Sequence, residues 1–173
     1  MTPTSAAAPP AEKSTQYLAF SLAHAEYAME LLRVREILEF SPPTRVPGAP
    51  PFIRGVINLR GSVVPIVDLH AKLGLQKQPE TKLACLAIVE VGGDWGEPVR
   101  LGVIVDVVND IIELGTDDIE SPPPFGTQIR LDFLRGVGKA NGALYLVLEI
   151  DRILSPEELS AVEEAANKAE GTG

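Results

Sequence analysis

Two carboxylates stand at matching places 81 residues apart, Asp68 in Val64-Pro65-Ile66-Val67-Asp68-Leu69 and Glu149 at the end of Leu146-Val147-Leu148. Acids brought together across a two-fold can share one proton and act as a hydrolytic dyad. Their neighbours oppose that chemistry. A pepsin-like loop reads Asp-Thr/Ser-Gly, whereas Asp68 is followed by Leu69-His70 and Glu149 by Ile150-Asp151. The plainer reading is that both acids end core strands and meet solvent. The remaining reactive residues are few: His24 in a turn, His70 after a strand end, and the single Cys85 in the apolar run Leu83 to Val89. With no second cysteine and no His-x-x-x-His pair, the sequence offers no metal site, and both histidines read as solvated or structural. Cys85 reads as a small buried hydrophobe. Nucleophile-elbow, phosphate-loop and dinucleotide signatures are absent, so the expectation is no catalytic residue and no cofactor.

Arginine 60 is more informative. The segment Asn58-Leu59-Arg60-Gly61 aligns with Lys139-Ala140-Asn141-Gly142, so one repeat carries an arginine where the other has asparagine. Its planar, five-donor group suits a carboxylate or an interface, and Glu36, in the other repeated element of the same half, is the partner expected within the chain. An ordinary strand-end arginine is the competing reading. Trp95, in Gly92-Gly93-Asp94-Trp95-Gly96-Glu97-Pro98, could anchor a partner or fold back over a barrel end.

The elements that must position these residues follow from patterning. The chain has 173 residues, a formal charge of −9, 45% hydrophobic residues and only 5% aromatics, so its core must come from Val, Ile, Leu and Ala. The charge opposes binding to nucleic acid or to anionic membrane surfaces. No run of about 18 apolar residues is present to insert in a membrane. Residues 1–15 read as a flexible tail and not a signal peptide, which places the protein in the cytoplasm. From Tyr17, alternation predicts a strand and a hairpin turn at His24 to Glu26.

Tyr27 to Phe40 favours helix by propensity. Within it, however, Ala28 to Leu38 laid over the β-branched stretch Gly102 to Ile112 at an offset of 74 reads as strand, with Met29 on Val103, Val34 on Val108 and Ile37 on Ile111. A second, gapless repeat at an offset of 81 puts Phe52-Ile53-Arg54-Gly55-Val56 on Phe133-Leu134-Arg135-Gly136-Val137 and Leu73 on Leu154. The chain is therefore read as a duplication spanning 16–155, with halves 16–80 and 81–155 packed as one unit and strand exchange between them open. Proline-rich connectors fall at Ser41 to Pro51 and Ser121 to Pro124. Ser155-Pro156-Glu157-Glu158 is a capping box that opens a C-terminal helix over 156–170, with Leu159, Val162, Ala166 and Ala169 on one face and a solvated acidic face opposite. The fold class is mainly β, with small barrels and one terminal helix.

The run Pro47-Gly48-Ala49-Pro50-Pro51-Phe52-Ile53-Arg54-Gly55-Val56-Ile57-Asn58-Leu59-Arg60-Gly61, followed by Val64-Pro65-Ile66-Val67-Asp68-Leu69, strongly resembles the CheW-like chemotaxis coupling proteins. Arg33-Val34-Arg35-Glu36-Ile37, Leu101-Gly102-Val103-Ile104-Val105-Asp106 and the stretch Leu146 to Leu154 extend the resemblance from Gln16 to Glu164. It implies two five-stranded SH3-like β-barrels related by a pseudo-two-fold. It also implies a non-catalytic scaffold that binds the cytoplasmic tip of methyl-accepting chemoreceptors and the regulatory domain of a CheA-type histidine kinase. Recruitment to receptor arrays at the inner face of the membrane follows from it. Carried over residue by residue, Val34, Gly55 and Arg60 match positions associated with coupling, Glu36 the acid that pairs with the arginine, and Asn58, Leu59 and Gly61 the surrounding loop. The first hairpin departs from the family's glycine-rich turn, reading Ala23-His24-Ala25-Glu26. A pathway that controls surface motility, development or second-messenger output is the alternative setting for the same adaptor.

Overall fold

The computed structural model describes residues 14–75, 82–92, 98–121 and 133–172, and of 167–172 the backbone alone. Among these residues the strands are β1 Thr15–Leu22, β2 Ala25–Glu30, β3 Val34–Glu39, β4 Ile53–Leu59, β5 Ser62–Val67, β6 Cys85–Val91, β7 Val99–Val105, β8 Val107–Leu114, β9 Ile119–Glu120, β10 Leu134–Ala140 and β11 Ala143–Leu148. Helix α1, Leu69–Leu73, follows β5, and α2, Pro156–Thr172, follows β11. Strand β1 takes in Thr15, the last residue read as tail. Residues 1–13, Trp95 and most of the second proline-rich connector lie outside the described residues.

The helix-favouring stretch Tyr27 to Phe40 is extended, broken only by the short 3-10 turn Leu31–Arg33. Helix propensity is worth tenths of a kcal/mol per residue, less than the ladders and burial that β2 and β3 gain from their neighbours. The break recurs at Asp106 between β7 and β8, which falls opposite Leu32 at the offset of 74.

The strands form a six-stranded sheet, β9-β10-β11-β2-β1-β8, and a five-stranded sheet, β3-β6-β7-β5-β4. Each closes. Beyond β3 the chain returns at Thr44 to β4, where Thr44 and Val56 exchange two backbone hydrogen bonds of 2.8 Å. In the other sheet β8 bends through the turn Thr116–Asp118 into β9, which pairs with β10. Counting β8 and β9 as one bent strand gives two five-stranded barrels. The register repeats as well: Ile66 pairs with Gly102 in one barrel and Val147 with Ala28 in the other, both in parallel pairs, the correspondence that the two offsets require.

The barrels do not divide at residue 80. The first takes β1 and β2 from the N-terminal half and β8 to β11 from the C-terminal half. The second takes β3 to β5 and β6 to β7, so the halves 16–80 and 81–155 exchange strands and neither contains a whole barrel. The cause lies at Leu31–Arg33 and Asp106, where the chain leaves one barrel for the other.

Among the described residues three apolar clusters follow from this layout. Tyr17, Ala19, Ala28 and Val147 fill the first barrel, and Ile66, Leu86 and Ile104 the second. The largest cluster includes Leu18, Phe20 and Leu22 of β1, Val103 and Val105 of β7, and Val162 and Ala165 of α2. Strand β1 is thus buried on both faces, alternate residues entering its barrel and the core between the barrels. The capping box forms: Ser155 N–H donates to Glu158 Oε1 at 2.9 Å, and Glu158 N–H to Ser155 Oγ at 3.1 Å. Helix α2 then buries Val162 and packs Leu159 on the core.

Candidate functional site

The hairpin joining β4 to β5 turns through Arg60 (φ 52°) and Gly61 (φ 89°), the two left-handed residues of a primed turn. Its repeat mate between β10 and β11 turns through Asn141 (φ 53°) and Gly142 (φ 79°). Asparagine tolerates that first position, whereas arginine has no local hydrogen bond to offset the steric cost. Asn58 braces the turn, its Oδ1 accepting from Gly61 N–H at 2.9 Å.

From this turn the Arg60 guanidinium reaches Glu36 of β3, one nitrogen 3.3 Å from Oε2 and the other on Oε1. Strands β3 and β4 are the outermost members of the sheet order, so the pair spans the seam at which the barrel closes. Arg60 leaves 69% of its side chain exposed and Glu36 28%, which keeps the pair accessible to a partner. The hydrogen bonds and charge of Glu36 raise the arginine above its usual range. The pair offers a fixed, two-pronged charge on a barrel rim, at strength reduced by salt.

Gly55 lies on the same seam. A Cβ there, at φ +150°, would stand 2.3 Å from the Thr44 carbonyl oxygen, so the close approach of the two backbones needs glycine. Leu59 is half-buried beside the turn, opposite Ser62. Val34 opens β3 opposite Val89, with its side chain against the core between the barrels. The structure therefore gathers Glu36, Asn58, Leu59, Arg60 and Gly61 at one barrel end, places Gly55 on the seam behind them, and turns Val34 inward.

The acids proposed for a dyad are paired otherwise. Asp68 does not meet solvent: it is 6% exposed, caps α1 by accepting from His70 and Ala71 N–H, and faces Arg54 at 3.7 Å. Burial opposes its charge, but the hydrogen bonds and nearby cations hold its carboxyl below the usual value. Glu149 is bound by Arg135 at 2.8 Å, and Arg135 also donates to the Tyr17 hydroxyl at 2.9 Å. Arg54 and Arg135 are repeat mates, so each half neutralises its own acid. The matching offsets contained this signal, since arginine and acid recur together. His70 is likewise buried at 4% exposure, a structural and not a solvated histidine. Cys85 is only half-buried. Lys72 sits over the rings of the mates Phe52 and Phe133, at 5.0 and 5.6 Å, and binds Glu158 at 2.6 Å, a junction of α1 and α2 that spacing alone does not show. Among the described residues no group of three potential metal ligands comes together, and no helix is long and apolar enough to cross a membrane.

Two interlocked SH3-like barrels, with their distinguishing charge pair on a rim, define an interaction module. The comparisons with known proteins give it a family. The model of the CheW-like domain matches residues 16–158, and the chain belongs to that family of non-catalytic scaffold proteins. The chemotaxis protein CheW of Klebsiella aerogenes is 32% identical over 151 residues, 87% of this chain and 88% of that one. The protein of the same name from Bacillus subtilis is 35% identical over 136 residues, 76% and 81% of the two chains. Among solved structures the scaffolding protein TtCheW from Thermoanaerobacter tengcongensis superposes with a TM-score of 0.75 at 29% identity, covering 91% of this chain and 96% of that one.

Proposed function

We propose that this chain is a cytoplasmic adaptor of a chemosensory array. It couples the cytoplasmic tip of methyl-accepting chemoreceptors to the regulatory domain of a CheA-type histidine kinase. One observation carries the reading: Arg60 occupies a left-handed turn position where the matching turn of the same fold uses asparagine, and spends the strain on an exposed charge pair with Glu36. Val34, Glu36, Gly55, Asn58, Leu59, Arg60 and Gly61 form or support the coupling surface, with Gly55 setting the seam and Asn58 and Gly61 the turn. The adaptor transmits by differential contacts, holding receptor and kinase in arrangements of unequal affinity. The relatives named for chemotaxis and the likeness to a solved scaffolding protein support this assignment.

Titration calorimetry of the full chain against a kinase regulatory domain and, separately, a receptor-tip fragment tests it. Both are expected to bind, and Arg60→Glu, which sets two carboxylates against each other at the rim, is expected to weaken at least one complex by roughly tenfold or more. Binding of neither partner by folded protein overturns the assignment. Unchanged binding of the folded variant removes Arg60 from it.

A further inference from the structure

Each barrel has a strand end tied down by a carboxylate from outside that strand. At the end of β6, Gly92 N–H donates to Asp151 Oδ1 at 3.1 Å, and an Arg33 nitrogen lies 3.0 Å from the same oxygen. At the end of β1, Ala23 N–H donates to Asp106 Oδ2 at 2.9 Å, and His70 Nε2 lies 3.3 Å from that oxygen. The ties occupy corresponding places: His70 aligns with Asp151 at the offset of 81, and Asp106 aligns with Leu32, the neighbour of Arg33, at the offset of 74. Acid and base have changed places between the copies. One tie therefore holds a permanent cation and the other a titratable one.

The titratable tie guards a strained turn. Ala23 and His24 sit at φ 49° and 68° with no glycine between them, a costly conformation for side-chain-bearing residues. The residue held by the other tie is a glycine, Gly92, at φ 76°. His70 faces two carboxylates at once, Asp106 at Nε2 and its own helix cap Asp68, whose Oδ1 is 3.6 Å from Nδ1. Arg54 of β4 stands behind Asp68 at 3.7 Å, and Lys72 on α1 is engaged by Glu158 of α2. Only the imidazolium offers a proton to each acid; the neutral ring must turn a lone pair toward one of them. Asp68 at Nδ1 raises the histidine above its ordinary 6.5, burial opposes this, and the Asp106 charge adds to the rise.

We propose that His70 is a pH-responsive latch on the hairpin between β1 and β2, closed while the imidazolium bridges Asp106 and Asp68 and released when the ring loses its proton, while the Gly92 tie does not respond. A raised folded value means that the latch is fully closed below pH 6.5 and opens as pH rises through that folded value. The latch sits where the chain crosses between barrels, so it controls a junction and not only a loop tip.

The test uses the full chain with His24→Asn, which removes the other histidine and places a residue suited to the left-handed turn. Amide exchange of Ala23 and Gly92 is followed by NMR across the titration of the His70 ring, with rates corrected for the intrinsic pH dependence of exchange. Protection at Ala23 is expected to fall in step with His70 deprotonation while protection at Gly92 holds. In a second variant, His70→Gln, the step at Ala23 is expected to vanish. The proposal is overturned if His70 titrates without a change at Ala23, if Gly92 falls in parallel, or if the step survives in His70→Gln. Should His70→Gln not fold, the comparison of Ala23 with Gly92 in the first variant decides alone.

Discussion

Replacing Gly55 by alanine attacks the seam of the second barrel without touching the charge pair. The new methyl carbon would lie 2.3 Å from the Thr44 oxygen, 2.7 Å from the Thr44 carbonyl carbon and 3.1 Å from Pro43 Cβ. The first two are backbone atoms, so no rotamer change relieves them. The Thr44 strand must withdraw from β4, which forfeits its two 2.8 Å hydrogen bonds with Val56. At about 0.5–1.5 kcal/mol each, these account for about 1–3 kcal/mol. An alanine held at φ +150° adds about 1–3 kcal/mol of backbone strain. Against a domain stability of about 5–15 kcal/mol the variant should fold but melt early, each kcal/mol lowering Tm by roughly 2–4 °C. Gly136, the mate on the first barrel, supplies a control for the clash, without the positive φ of Gly55. Its added Cβ would stand 2.5 Å from the Glu120 oxygen, so Gly136→Ala destabilises the other seam by a similar clash. Urea unfolding of both variants, with calorimetry against the kinase regulatory domain and the receptor tip at a temperature where both are folded, separates site from stability. Gly55→Ala should lose affinity and Gly136→Ala should not. A Gly55→Ala protein as stable as the parent would refute the steric argument, and equal loss of binding in both variants would refute the placement of the site.

Three further outcomes follow from the same geometry. Arg60→Asn should raise the midpoint of urea unfolding, because asparagine suits the turn as Asn141 does in the other hairpin, while partner affinity falls; a lower midpoint would show that the charge pair outweighs the backbone. Asp68→Asn should cost about 1 kcal/mol or more: asparagine still caps α1, but the charge that Arg54 and His70 share is gone. Because the folded carboxyl of Asp68 is depressed below 3.8, its contribution is present above that value and lost as pH falls through the folded one, so parent and variant should converge in strongly acid urea titrations.

Much of the architecture was legible because duplication leaves a register. Offsets of 74 and 81 carry Ile66 and Gly102 onto Val147 and Ala28, and the ladders obey both. Ser155 and Glu158 announced their cap by spacing alone. Exchange of strands between the copies was not legible, since a repeat reports which segments are equivalent and not which of them pair. Propensity alone would make Tyr27 to Phe40 a helix, because its partners are distant in sequence; the repeat read it as strand, and strand it is. Asp68 and Glu149 read as solvent-facing strand ends because the cations that hold them are 14 residues upstream on an adjoining strand, visible only once Arg54 and Arg135 are taken as part of the repeat. The pairing of Arg60 with Glu36 was legible for the opposite reason, an asymmetry in an otherwise matched frame.

The crossing of the chain at Leu31–Arg33 and at Asp106 bears on ancestry as well as folding. A polypeptide holding one copy alone would own two strands of one barrel and three of another, and could bury both interiors only by interlocking with a second molecule. This chain amounts to such an obligate dimer written as one polypeptide. A dimer of identical copies must display every feature twice, whereas a fused one can alter a position in one copy and spare the other. Arg60 against Asn141, and His70 against Asp151, are alterations of that kind. An adaptor that must show different faces to different partners gains from fusion what symmetry would forbid.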